Sequence, residues 1–289
     1  MAKSPQTGMK AASISLTVWN AICYFSTMKK SCFFSFLFLF LFFGSSHAFD
    51  ISGLQPLAPD GVFSAFSTES LPKNKFSVEL VLERSRQVDF YRTTMKGAYG
   101  ISNNLEFIAS VPYVLQFEGS IDGFEDIAIG FKHRFYDEGK YGPSLAYLLT
   151  ASIPVGHDEL TTDGRVGVGI ILSKRIGPFQ GSFNLLYFRP GKGDLEDEIT
   201  FTSGIVFSAT HNSEILAEFQ AKKSHFASEY DQLEARLGYR LRTADSLFTT
   251  IGAGVDLKNR NPEYRLLLMI TFTNAKDKKK IKKIIEEEE

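Results

Sequence analysis

The residues best suited to nucleophilic chemistry in this chain are a histidine and a serine two positions apart, His211 and Ser213. A histidine placed in this way can activate a serine hydroxyl, which is the chemistry of a lipid hydrolase. The pair flanks Asn212 in a stretch typical of a tight turn, where Asn and Ser are favoured for conformational reasons. The sequence therefore predicts a turn and no catalytic residue here, and lipid hydrolysis is a remote alternative.

Residues that could bind a metal or a phosphate are scattered along the chain. Four histidines follow His47, and none has the His-x-His or His-Glu-x-x-His spacing of a zinc site. Acidic residues gather at 157–163 and 194–198, where carboxylates suit Ca²⁺ but lack the spacing of a calcium loop. The glycines within residues 164–169 precede no helical pattern, as a phosphate loop would require. We therefore predict solvated loops at these places, with no metal and no cofactor.

The amino-terminal part of the chain has the pattern of an export signal. Residues 28–48 begin with Met28 and two lysines, continue through an apolar run, and end in the small residues of Ser46-His47-Ala48. The apolar run is too short for a spanning helix. Residues 1–27 are interpreted as a mis-called upstream extension.

Removal of the signal would change the composition of the chain. The 289 residues include 32 basic and 33 acidic ones, and four lysines and both cysteines precede the cut. The remaining 241 residues (289 − 48) thus carry 28 basic (32 − 4) and 33 acidic side chains and no cysteine. This acidic balance disfavours a nucleic-acid partner, and the missing thiols exclude a disulfide framework and a Cys-based metal site.

Alternation of apolar and polar residues recurs through most of the remaining chain, whereas helical periodicity is scarcely seen. Twelve alternating segments cover residues 75–273, and most have about 10–13 residues, the length needed to cross a bilayer at a tilt. Short turns alternate with longer loops, which include residues 116–125, 154–164 and 190–197. The pattern predicts an all-β fold, a transmembrane antiparallel up-and-down β-barrel of about 12 strands. A soluble all-β protein is the alternative, which strands of this length disfavour.

The second face of the same strands is rich in small and charged residues, which predicts a polar barrel interior. Opposite charges on neighbouring strands could pair across the interior. Such pairs would either fill the lumen or line an open pore. The charged candidates for lining the lumen are Glu79, Glu83, Arg92, Lys96, Glu106, Lys132, Arg134, Glu218 and Arg236.

Two further segments lie outside the alternating region. Residues 49–74 contain three prolines and read as an irregular segment that either stays in the periplasm or occupies part of the lumen. Residues 274–289 form a charged tail that we interpret as solvated or as a frayed helix, with partner binding as the alternative.

Three stretches carry a family resemblance: GISNNLEF at residues 100–107 followed by VPY at 111–113, GFEDIAIGFKHRF at 123–135, and IPVG at 153–156 before GVG at 167–169. Over residues 97–272 the chain resembles the outer-membrane protein family named for the meta-pathway of phenol degradation. The resemblance implies a barrel found with aromatic-compound breakdown and usually described as a transporter, and no catalytic residue carries over. The chain departs from such barrels at its end, because seventeen residues follow the aromatic residue Phe272.

These patterns predict a passive channel in the outer membrane of a Gram-negative bacterium, not an enzyme. We expect its solutes to be small and apolar or aromatic. The alternative is a non-conducting structural or surface-binding barrel, closed by charge pairs and by residues 49–74. Expected partners are outer-membrane lipid and lipopolysaccharide, the barrel assembly machinery and the solute, with no nucleic acid.

Overall fold

The structure, a computed structural model, describes residues 53–85, 90–117, 121–158, 160–193, 195–224, 232–258 and 264–274. The upstream extension, the export signal, the short first loop at residues 86–88 and all of the charged tail except Asn274 lie outside the described residues. Within the described ranges, no helix is long and apolar enough to cross a membrane.

Antiparallel strands account for nearly all of the regular structure in these ranges. Their bounds are β1 (Phe76–Ser85), β2 (Phe90–Gly100), β3 (Leu105–Phe117), β4 (Ile121–Phe124), β5 (Ile127–Tyr136), β6 (Ser144–Ile153), β7 (Arg165–Ile176), β8 (Phe179–Pro190), β9 (Glu198–Thr210), β10 (Ser213–Ser224), β11 (Gln232–Ala244), β12 (Leu247–Asp256) and β13 (Tyr264–Thr273).

The sheet closes on itself because β1 pairs with β2 on one side and with β13 on the other. Short β4 pairs with one half of β3 and β5 pairs with the other half, so β4 and β5 together fill a single place in the wall. The result is a closed antiparallel barrel of twelve strands, as the alternation predicts. Closure removes the two free edges of an open sheet, except along short β4, which among the described strands pairs with β3 alone.

The prediction of a long loop over residues 116–125 is wrong. In the structure β3 continues to Phe117 and β4 begins at Ile121, which makes a tight hairpin. The ring of Phe124 packs edge-on against Tyr113 of β3, with 4.9 Å between centroids. This cross-strand aromatic contact explains why the strand pairing extends into a stretch that contains two glycines and three acidic residues.

The two ends of the barrel differ in their connections. At one end, which we call the turn end, the strands are joined by short turns such as residues 177–178 and 211–212. Gly177 has φ of 55°, the left-handed conformation that such a turn requires. The opposite end, which we call the loop end, carries the longer connections, including residues 154–164 and 191–197.

The outer and inner faces of the wall differ sharply in chemistry. Along β1 every second residue is exposed, and the exposed set contains Phe76, Val78, Leu80 and Leu82. Large apolar side chains are exposed in the same way on the other barrel strands, as with Leu237, which is 65% exposed. A continuous apolar outer surface is unfavourable in water, so the soluble alternative does not fit this barrel.

Candidate functional site

The interior of the barrel is occupied by the chain itself. Residues 53–74, which we call the lumen segment, run from the loop end through the interior to the start of β1. At the loop end, a Cβ added to Gly53 would lie 2.0 Å from the Arg165 guanidinium. At the turn end, the Asn74 N–H donates to the Gly100 carbonyl oxygen at 2.8 Å. Between these points the segment is deeply buried, and Phe66 has no exposed surface.

One carboxylate of the wall binds the centre of the lumen segment. Glu218 of β10 accepts backbone N–H bonds from Phe63, Ser64 and Ala65 at 3.0, 2.8 and 2.8 Å. It also accepts the Ser64 hydroxyl at 2.5 Å. A buried carboxylate is stable only where donors surround it, and here the segment supplies most of them.

Other charged side chains bind the segment along the rest of its path. Glu79 accepts the Ala58 N–H at 3.1 Å, and Lys96 donates to the Pro56 carbonyl oxygen at 3.2 Å while pairing with Glu79 at 2.9 Å. The remaining contacts of this kind are Glu106 with the Leu71 N–H, Lys132 with the Glu69 carbonyl, and Arg240 with the carbonyls of Pro59 and Gly61. The polar wall thus replaces the backbone hydrogen bonds that this irregular segment cannot form with itself.

Alternating charges also connect to one another towards the loop end. The ion pairs are Glu125–Arg92 at 3.1 Å, Arg92–Glu83 at 2.6 Å, Glu83–Arg265 at 3.3 Å, Arg265–Glu234 at 3.8 Å, Glu234–Arg236 at 2.8 Å and Arg236–Glu218 at 3.2 Å. We call this series the ion-pair ladder. It ends on Glu218, the carboxylate that holds the lumen segment, so the wall charges and the segment form one hydrogen-bonded system.

Glycines of the wall make room for the largest side chain of the segment. A Cβ added to Gly238 or to Gly252 would lie 2.5 Å from the ring of Phe63, closer than real Cβ contacts. Phe63 is 1% exposed and packs in a cluster with apolar residues of β1, β9, β10 and β13. The glycines therefore form a recess that fits this ring.

The inner wall carries its charges on one side, while on the other side buried apolar residues are interspersed with buried polar ones such as Ser144, Ser182 and Asn184. On the inner faces of β6–β9 and the adjoining part of β5, none of the described residues between the charged groups at the strand ends carries a charge. We call this surface the uncharged sector. Its buried apolar members include Ala128, Ala146, Leu148, Ile171, Leu186 and Phe188. The charges of the ladder all lie on the opposite side, on β1, β2, β10, β11 and β13 and in the connection before β5.

The loop between β6 and β7 folds inward at the loop end. Leu160 is 1% exposed and packs with Phe90 and Val114. The Asp126 carboxylate holds the next two residues, because it accepts the Thr161 hydroxyl at 2.6 Å and both the N–H and the hydroxyl of Thr162 at 2.8 and 2.6 Å. Asp126 therefore holds this loop in its inward position, and we call its three hydrogen bonds to Thr161 and Thr162 the latch.

We expect Asp126→Asn to weaken the latch by about 1.5–3 kcal/mol, the usual worth of hydrogen bonds to a charged group. Burial raises the pKa of the Asp126 carboxyl, but the bonds from Thr161 and Thr162 outweigh burial and set it below the ordinary value of 3.8. The latch is thus complete above that ordinary value and is lost as the pH falls through the lowered pKa. Protease cleavage within residues 154–164 measures its opening. Asp122→Asn is the control, since this exposed carboxylate lies on the same hairpin.

Eight of the nine charged candidates are buried within the interior: Glu79, Glu83, Arg92, Lys96, Glu106, Lys132, Glu218 and Arg236. Arg134 lies instead at the turn end, where it is partly exposed and pairs with Asp137 at 2.9 Å. A role for these residues in lining a path for solutes stays a prediction. Sequence reasoning missed Glu234, Arg240 and Arg265, although each lies in the inward phase of its strand.

Of the histidine and serine considered for catalysis, His211 lies in the turn between β9 and β10, and Ser213 is the first residue of β10. The Ser213 hydroxyl is hydrogen-bonded to the Thr210 hydroxyl at 2.7 Å, while His211 is exposed. The two hydroxyl groups that flank the turn thus hydrogen-bond to each other, as side chains in tight turns commonly do. Across the described ranges, no group of three or more His, Cys, Asp or Glu is placed to hold a metal ion.

Solved structures share this architecture. The NanC porin superposes with a TM-score of 0.54 at 10% identity, and the KdgM porin with 0.53 at 10%; each comparison covers 68% of this chain and 98% of the other. An outer-membrane channel from Pseudomonas putida F1 gives 0.52 at 11% identity, over 71% of this chain and 97% of that one. No protein-family model and no curated protein matches the chain. The chain therefore has the fold of outer-membrane channels.

Proposed function

We propose that the protein is a passive outer-membrane channel for small uncharged solutes that are apolar or aromatic. The observation that carries the proposal is the uncharged sector, where apolar side chains and neutral hydroxyl and amide groups line one side of the interior. In the ion-pair ladder on the opposite side, three arginines and four glutamates bind one another and the lumen segment, so that none of these charges faces the uncharged sector alone. The shared fold of porins and channels supports passive transport.

We further propose membership of the phenol meta-pathway family. The stretches at residues 100–107, 123–135 and 153–156 support it, and they have distinct places in the barrel. The first contains the turn between β2 and β3, the second leads through β4 and β5, and the third begins the inward-folded loop. Turns and irregular strand pairings determine the shape of a barrel, so motifs at these places would be expected among proteins that share one barrel shape.

Uptake by cells tests this function, because lipopolysaccharide slows apolar molecules that would cross a plain phospholipid bilayer unaided. We expect a porin-deficient Gram-negative host to take up N-phenyl-1-naphthylamine faster when it makes this protein. Hydrolysis of nitrocefin, a charged compound, by a periplasmic β-lactamase controls for general leakage and should not change. Equal acceleration of both compounds, or of neither, would contradict the proposal.

A second candidate function is a non-conducting barrel, favoured by the many hydrogen bonds that hold the lumen segment. In that case the interior is permanently filled and the barrel serves as a structural or surface-binding element. No uptake of either compound by the unaltered protein, together with conductance that appears only after removal of the segment, would establish it.

An outer face that contacts lipid gives a further prediction. Leu185 lies near the middle of β8 and is 55% exposed on the apolar outer face. Leu185→Arg is expected to lower the free energy of unfolding by about 2–4 kcal/mol, the effect of an arginine on the lipid side of a barrel midplane. Urea unfolding in phospholipid vesicles measures it. Leu185→Met, which keeps the volume and the apolar character, should change little.

A further inference from the structure

Several apolar side chains of the lumen segment turn towards the uncharged sector. Leu54, Leu57, Phe66 and Leu71 are at most 6% exposed and belong to the same cluster as the apolar residues of that sector. The apolar side chains of residues 62–65 pack instead in the other cluster, around Phe63. The polar backbone of the segment is bound largely by charged groups of the other strands. The segment therefore lies between two surfaces, of which only the uncharged sector carries no charge.

One glycine of the wall makes room for the segment on this side. A Cβ at Gly130 would lie 2.5 Å from Leu54. At Gly169 and Gly167 the space is filled by the wall side chains Leu186 and Phe188, which an added Cβ would meet at 2.1 and 2.4 Å. If the segment moved away, it would vacate the places of its leucine and phenylalanine side chains, and a recess lined by apolar residues takes up ring compounds of similar size.

One buried polar group faces the same recess. The Asn184 side chain accepts the Phe66 N–H at 2.6 Å and donates to the Phe66 carbonyl oxygen at 2.8 Å. Asn184 is 1% exposed, so loss of Phe66 would leave both an amide donor and an amide acceptor without a partner. A ligand with one hydroxyl or carbonyl group on a ring would satisfy them in place of the backbone.

We propose that the uncharged sector is a binding site for a small uncharged ring compound with one hydrogen-bonding group, and that the lumen segment competes for it. Leu54, Leu57 and Phe66 occupy the site in this structure, and Asn184 binds the backbone of Phe66 where the ligand group would lie. The proposal deepens the proposed function and rests on it. Because ligand and segment exclude each other, the ligand itself shifts the barrel towards the open state.

A reversible staple tests the exclusion. A Cβ at Gly204 would lie 2.8 Å from the Cβ of Ala65, so small relaxation brings the pair Ala65→Cys and Gly204→Cys to the disulfide spacing of about 3.8 Å. The pair is introduced into full-length protein that also carries Cys23→Ser and Cys32→Ser, exported, purified and placed in nanodiscs. The probe is 4-fluorophenol, followed by ¹⁹F NMR line broadening; 4-fluorobenzoate, which is charged at pH 7, is the probe control.

We expect saturable broadening of 4-fluorophenol with the reduced protein, its loss after oxidation, and its return with dithiothreitol. Leu148→Gln should weaken the affinity about tenfold, because it places an unpaired amide in the apolar recess. Leu216→Gln is the matched control, since both leucines have no exposed surface but Leu216 belongs to the other cluster, around Phe63. Heat-modifiable migration on gels verifies that both variants are folded.

Three results would overturn the proposal: binding that survives oxidation, no saturable binding by the reduced protein, or equal effects of Leu148→Gln and Leu216→Gln. Asn184→Leu provides an independent test, since it should weaken the binding of 4-fluorophenol while leaving the binding of fluorobenzene unchanged. Failure here with normal cellular uptake of N-phenyl-1-naphthylamine would reject the binding site and leave the channel function intact. Normal binding of 4-fluorophenol without cellular uptake of N-phenyl-1-naphthylamine would reject the channel function and leave the binding site intact.

Discussion

Deleting residues 53–72 is expected to raise the single-channel conductance of the barrel several-fold in planar bilayers. The deleted residues fill the interior and are bound by side chains of strands from all sides of the wall, including β1, β3, β8, β10 and β11. Their loss should leave a water-filled lumen, because the buried carboxylates and cations that they partner will draw water in.

The control for this deletion is a chain in which the same residues are replaced by a Gly-Ser linker of equal length, which keeps the length of chain that precedes the barrel. A flexible linker without apolar side chains should also give high conductance. If both variants conduct no better than the unaltered chain, the lumen segment is not what closes the barrel.

Replacing Glu218 by alanine should cause the largest loss of stability from a single substitution. Its carboxylate accepts three backbone N–H groups of the lumen segment and pairs with Arg236 at 3.2 Å. Removing one partner of a buried charge pair costs about 3–5 kcal/mol in free energy of unfolding, because the donors left behind remain buried and unpaired. We also expect longer open times, since the segment loses its central anchor.

Glu214→Ala is the matched control for that substitution. Glu214 lies on the same strand and pairs with Arg240 at 3.0 Å, but its side chain is 25% exposed. Its loss should cost less than the loss of Glu218, because it removes no acceptor from the backbone of the segment and because water can reach the place of its half-buried carboxylate. Urea unfolding in vesicles compares the two variants, and equal effects would show that Glu218 does not anchor the segment.

The barrel itself could be predicted from the sequence because each strand places apolar and polar residues on opposite faces. That pattern indicates which residues face inward, and so it placed Glu79 and Lys96 on the inner face, where the structure shows them directly opposite each other in the register. The hairpin at β4 could not be predicted, because the contact between Phe124 and Tyr113 that accompanies it joins two different strands and is not visible in the local sequence.

The path of the lumen segment could not be predicted either. Its prolines and absence of periodicity say only that it is irregular, whereas its position depends on contacts with residues more than 100 positions away, such as Glu218 and Asn184. The absence of charged residues from the inner faces of the strands in the uncharged sector could in principle be read from the sequence. Inward positions such as Leu148 and Ile171 are flanked by apolar outward residues, and the resulting continuous runs hide the second face.

Single-channel recording of the stapled chain, Ala65→Cys with Gly204→Cys, tests most directly whether this protein is a channel closed by its own lumen segment. The disulfide fixes the segment to β9 at its most buried point. We predict no openings in the oxidised state and openings in the same membrane after dithiothreitol is added. Equal conductance in both states, or no openings in either, would contradict the account.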